Sequence, residues 1–243
     1  MNKCVIAVLS ALLTMPFTTL LAQPTVNQGM DEGGVEDMFV HPFLAHMGLP
    51  EMPNEVSLRI TGYRTRFIGG NTEGDLAVHI EASLLKNVGL HIRADGIQHE
   101  DYSEVMVQYA VRADKKLHNG ISLFGQVSIP TGEVKSNTYK GLFGISGQLT
   151  LTNVVVWDGN IHYDPKDKMI EHENAFVFRG SAKLYPILEI SGHKTKEMAE
   201  VYLLPAIKFR IDKSSAFGVG VQVAASHDRE FDSRGLFTYD VAF

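Results

Sequence analysis

Beyond Cys4 the chain has no cysteine, which excludes a disulfide framework and a thiolate metal centre. Cys4 itself stands too early, and without the following cleavage context, for a lipoprotein anchor. Positive charge is also scarce. Lys and Arg total 22 against 28 Asp and Glu, a net charge of −6, and this argues against a nucleic-acid partner. Apart from a stretch near the N-terminus there is no long apolar run, and mean hydropathy is −0.02. That excludes a bundle of membrane-spanning helices but not a membrane β-barrel, whose strands alternate in polarity.

The one apolar stretch, Val5 to Leu21, follows a short polar head with Lys3 and ends at Ala22, before Gln23-Pro24. It is interrupted by Pro16, and we read residues 1–22 as a secretory signal peptide. Residues 23–54 are a different material, rich in Gly, acids and Met. They are expected to form a periplasmic extension or a plug in the mouth of whatever follows. His41, His46 and Met47 offer imidazole and thioether groups, a donor set that suits copper or silver, although their spacing matches no established site. No cofactor is expected.

From Glu55 onward apolar and polar residues alternate. Leu76, Val78, Ile80, Ala82 and Leu84 oppose Ala77, His79, Glu81 and Ser83. After Lys86 to Gly89, Leu90, Ile92 and Ala94 oppose His91, Arg93 and Asp95. An apolar and an ionisable face carried across a turn is the pattern of a hairpin. It recurs to the end of the chain, giving an all-β protein of about twelve strands, or about ten if the weakly punctuated hairpin between Leu142 and Tyr163 is misread. The fold expected is a closed antiparallel transmembrane β-barrel over residues 55–243. Short links are expected at Lys86–Gly89, Asp114–Gly120, Tyr185-Pro186 and Asp212–Ser215. Longer external ones are expected at Gln98–Glu104, Thr131–Lys140, Asp164–Asn174, Lys194–Glu200 and His227–Gly235. Pro205 inside a strand predicts a bulge. A soluble β-sandwich would show the same alternation, so the ending of the chain matters.

That ending is Leu236-Phe237-Thr238-Tyr239-Asp240-Val241-Ala242-Phe243, with Phe237, Tyr239, Val241 and Phe243 on one face. It resembles the C-terminal signature of bacterial outer-membrane barrels, which implies that Tyr239 and Phe243 are read by the barrel-assembly machinery, and that lipid of the outer membrane wets the apolar face. At Val127-Ser128-Ile129-Pro130-Thr131-Gly132 a strand ends in a Pro-Thr-Gly step. This step resembles the outer-membrane barrels grouped as meta-pathway phenol-degradation and transporter-like proteins. The resemblance covers roughly residues 55–243 and implies passage of small, often hydrophobic compounds.

The polar face supplies the candidate lumen-lining residues. On the first hairpin and its neighbours they are His79, Glu81, His91, Arg93, Asp95 and Arg112. Further on they are Asp158, His162, Arg179, Glu189, His193, Lys208 and Arg210. Both signs are present, so no single-sign funnel is expected. The function expected is a channel or transporter-like barrel for small solutes. The alternatives are a non-conducting structural or metal-handling barrel, and an outer-membrane hydrolase built on His227-Asp228 with Asp95 or Asp101, or on Ser103 near His99. None of these comes with a nucleophile, base and orienting group together, so no catalytic residue is assigned and the protein is read as a non-enzyme.

Overall fold

The computed structural model describes residues 41–45, 48–51, 55–94, 102–114, 119–130, 139–179, 181 and 183–243. The expected signal peptide, residues 23–40, His46, Met47, Asp95, His99 and Asp101 lie outside the described residues.

Twelve strands follow one another: β1 (Val56–Phe67), β2 (Thr72–Leu85), β3 (Val88–Ala94), β4 (Tyr102–Asp114), β5 (Asn119–Pro130), β6 (Lys140–Thr152), β7 (Val155–Asp164), β8 (Met169–Phe178), β9 (Leu184–Lys194), β10 (Ala199–Arg210), β11 (Ser215–Ala224) and β12 (Phe231–Ala242). Each pairs antiparallel with its neighbour in sequence, and β1 closes on β12 to complete a barrel. The closing seam runs from Ser57 opposite Ala242 to Phe67 opposite Phe231, so each of β1 to β12 has a partner on both sides.

The alternation read from the sequence is realised in the pleat. On β5, Ile121, Leu123 and Val127 are exposed while Ser122, Gln126 and Ser128 are buried. Outward aromatic rings meet across neighbouring strands, Phe209 with Phe217 and Phe217 with Phe237. Tyr239 and Phe243 are on this outer face as well, Phe243 being 74% exposed. Inward residues form rows through the ladders. One row runs Gln148, Asp158, Ala175, Glu189, Leu204. Another runs Asp240, Arg59, His79, Arg93, Glu104.

Several local expectations are corrected. Tyr185-Pro186 is not a turn but part of β9; the link is residues 179–183. Pro186 is tolerated because β8 stops pairing with β9 at Ile187, leaving no ladder on that side for its missing N–H to break. Pro205 causes no bulge. The β9 register runs straight through Pro205 opposite Leu188. On the β11 side the register is unchanged between Leu203 opposite Val223 and Ala206 opposite Gly220, so the missing donor is absorbed as a local break in the ladder. The segment Asp164–Asn174 is mostly strand, β8 starting at Met169, and the β9–β10 link is only residues 195–198. A real bulge lies between Ala110 and Arg112 on β4. It places Arg112 opposite outward-facing Ile121, so Arg112 is exposed and does not line the lumen.

Candidate functional site inside the barrel

Among the described residues the lumen holds a stretch of the chain itself. His41, Phe43, Ala45 and Leu49 are buried against the wall, and the backbone they belong to has no strand partner, so its polar groups must find side chains. The β9 carboxylate of Glu189 accepts three successive backbone N–H groups, from Phe43, from Leu44 at 2.9 Å and from Ala45 at 3.3 Å. On the opposite side the guanidinium of Arg59 donates to the carbonyls of Pro42 and, at 3.0 Å, of Phe43. Lys208 Nζ donates to Asp240 at 2.7 Å and reaches the Pro42 carbonyl at 3.4 Å. The Phe43 ring fills a hollow made by Val177, Tyr185, Ile187, Leu204 and Leu236, with Lys208 Nζ 4.9 Å from its centroid.

The far end of the stretch is held by close approach. The Gly48 carbonyl accepts from Ser122 at 3.0 Å and Ser146 at 3.3 Å. A Cβ on Gly48 would lie 2.2 Å from the Gly147 carbonyl oxygen, so only glycine allows the backbone to come so near β6. Pro50 lies against Gly89 in the same manner.

Around His41 the charges are dense. Its Nε2 is 3.2 Å from Glu51 and its Nδ1 3.9 Å from Glu81 Oε2. Glu81 also faces Arg59 at 3.4 Å, His79 at 3.5 Å and His91 at 3.7 Å. Burial disfavours a charged imidazole, but Glu51, Glu81 and Asp240 outweigh it, and the His41 pKa is raised above its ordinary value. Burial likewise opposes ionisation of Glu51, and His41 reverses that, holding its pKa down. The cavity left between His41, Arg59, His79, Glu81 and Asp240 measures about 10 Å³, room for about one water.

Two sets of ligand atoms lie within 4.8 Å of one another, His79 with Glu81 and His91, and His41 with Glu51 and Glu81. Arg59 Nη2 stands 2.6 Å from His79 Nδ1, which ties up that nitrogen and adds a fixed positive charge beside the first set. In the second set the two carboxylates face opposite nitrogens of one ring, the arrangement of a braced imidazolium rather than of a chelate. The copper or silver site expected from His41, His46 and Met47 finds no thioether beside His41 among the described residues, where its neighbours are carboxylates.

The remaining candidates are placed as follows. Arg93 is half-buried in the row between His79 and Glu104. Asp158 is fully buried and accepts from Gln148 at 2.9 Å. His162 lies 3.3 Å from Glu171, and His193 lies 3.9 Å from Glu200, nearer the other end of the strands. Arg210 stacks over Tyr185. Arg179 is exposed in the 179–183 link. Of the hydrolase candidates, Ser103 pairs with Ile129 on the outer row, while His227 and Asp228 sit in the link after β11. Two central residues, Arg59 and Asp240, were absent from the sequence-based set. Their signal was there: each sits between two apolar neighbours of an alternating strand.

A closed antiparallel barrel, apolar outside and polar within, is the architecture of porin-type outer-membrane channels. Solved structures place this chain beside several. It superposes on the KdgM porin in complex with disordered oligogalacturonate with a TM-score of 0.59 at 12% identity, covering 77% of this chain and 99% of that one. The NanC porin gives 0.57 at 9%, covering 77% and 98%. An outer-membrane channel from Pseudomonas putida F1 gives 0.58 at 9%, covering 84% and 100%. At such identities the likeness is one of fold. The sequence matches no family model and no curated protein.

Proposed function

We propose that this protein is an outer-membrane channel for small solutes, hydrophobic ones included, whose lumen is closed by its own N-terminal segment. Residues 1–22 are the export signal in this reading, residues 23–54 the plug, and residues 55–243 the channel. Tyr239 and Phe243 serve as the assembly signal. An even strand count brings both ends of the barrel chain to one side, so the plug enters from the periplasm, ahead of β1. The protein has no catalytic role in this reading. The observation that carries it is the seat of residues 41–45 and 48–51, where Glu189, Arg59, Ser122 and Ser146 satisfy a backbone that no strand pairs.

Conductance in planar bilayers tests it. Gly48→Val forces a side chain onto the Gly147 carbonyl and should unseat the segment. Wild-type protein is expected to show little or brief current, and the variant a larger and more sustained one. Equal currents, or none in either, would sink the channel with a plug.

A further inference from the structure

Residues 42–45 are held as a ligand is held. Donors, acceptors and an aromatic ring each meet a complementary feature of the wall, and every one of those features belongs to a strand rather than to the segment. Glu189, 2% exposed, is a buried carboxylate that takes only donors and has three of them. Arg59 and Lys208 face the carbonyl side of the same peptide, with their charges matched by Glu81 and Asp240. Because those charges are already matched, the wall offers donors to neutral carbonyls more than a net field to an anion. Between donor and acceptor sides lies the apolar hollow around Val177, Ile187, Leu204 and Leu236, filled by one phenyl ring.

We propose that this part of the wall is the solute-binding site of the channel, that it takes short peptides or peptide-like amphiphiles bearing an aromatic group, and that residues 42–45 occupy it as an internal competitor. The inference rests on the plug reading above and adds to it the class of solute. A sugar acid has hydroxyl donors for Glu189 but brings nothing to the apolar hollow. A bare hydrocarbon would leave the buried Glu189 carboxylate without the three donors it now has, which costs more than the hollow returns. A peptide with a phenyl side chain answers all three features.

The experiment uses the full chain with Cys4→Ser and Ala45→Cys, in detergent, and the capped peptide acetyl-His-Pro-Phe-Leu-Ala-amide as probe. Position 45 is 0% exposed, so a maleimide should react with the thiol slowly while the segment is seated. The peptide at millimolar concentration is expected to speed labelling severalfold, and the same peptide with Ala in place of Phe is expected not to. In the Gly48→Val channel, which carries its own Ala45, the first peptide should also block current and the second should not. Fast labelling without any peptide would overturn the seated segment and, with it, the plug. Slow labelling that neither peptide changes, together with an unblocked Gly48→Val current, would leave the plug standing and overturn the solute site. Equal effects of the two peptides would overturn it too.

Discussion

Glu189 shows how much one residue can decide in a barrel lumen. A carboxylate with no water around it is costly unless it is fully bonded, and this one is bonded by three backbone N–H groups of a segment far away in sequence. Glutamine keeps the shape but loses the charge and turns one end into a donor facing those N–H groups. Charge-assisted bonds are worth about 1.5–3 kcal/mol each, so even the loss of about one such bond raises the open fraction of the segment by about tenfold or more. Glu189→Gln is therefore expected to accelerate thiol labelling at Ala45→Cys by at least about tenfold; an unchanged rate would show that Glu189 does not hold the segment. The inward placement of Glu189 is legible from its neighbours Leu188 and Ile190. Its partners are not, because the pattern of one strand says nothing of which distant backbone will fill the space it faces. For the same reason the strand pattern does not single out Val177, Ile187 and Leu204. They stand at inward positions where they pack with Tyr185 and Leu236 of the wall and with the Phe43 ring.

At the scale of elements, the strands were the readable part and the segment between His41 and Glu51 was not. Period-two alternation survives any register, so it carries the strand number, the weakly punctuated β6–β7 pair included, but it misplaces the bounds of β8 and β9, where Asp164–Asn174 reads as a loop and Tyr185-Pro186 as a turn. It could not show the bulge that turns Arg112 outward, nor that the two prolines expected to break strands lie where a ladder bond is dispensable. The segment has no period at all, and what seats it is electrostatic as well as steric. That gives it a pH dependence with a definite sign. His41 faces Glu51 of its own segment, with Glu81, His79, His91, Arg59 and Asp240 on the strands around it. Its seated pKa is above the ordinary 6.5, so its contribution is full below 6.5 and is lost as pH rises through the raised value. The seated pKa of Glu51 is below the ordinary 4.5, so its contribution is full above 4.5 and is lost as pH falls through the lowered value. Seating is thus strongest in mildly acid solution and weakens towards alkaline pH. Single-channel recordings should show open probability rising between pH 6 and pH 9, and His41→Gln should flatten that rise. A current that falls over this range, or an equal rise in His41→Gln, would refute the role of this imidazole.

For the molecule as a whole, everything turns on what wets the outer face. Val107, Val111, Ile145, Ile161, Val219, Val221 and Phe237 are among the large apolar side chains left exposed around the barrel, while Lys208, Glu189 and Asp158 are buried within it. In water this arrangement would be inside out; in a bilayer it is what the solvent demands. The two media give opposite expectations for one substitution. Val219 lies midway along β11, 46% exposed, opposite Ile207 on one side and Phe237 on the other. For a soluble protein, replacing an exposed valine by arginine changes stability by no more than about 0.5 kcal/mol. On a lipid-facing strand near the bilayer centre it costs about 2–4 kcal/mol. Urea unfolding of Val219→Arg in phospholipid vesicles, followed by the loss of the band that differs between unboiled and boiled samples on gels, should therefore show a destabilisation in the larger range. The Val219→Leu variant, which keeps an apolar side chain on the outer face of the same strand, has no charge to bury in lipid and should show less. If Val219→Arg unfolds at the wild-type midpoint, lipid does not cover β11, and the barrel cannot be the membrane channel proposed for it.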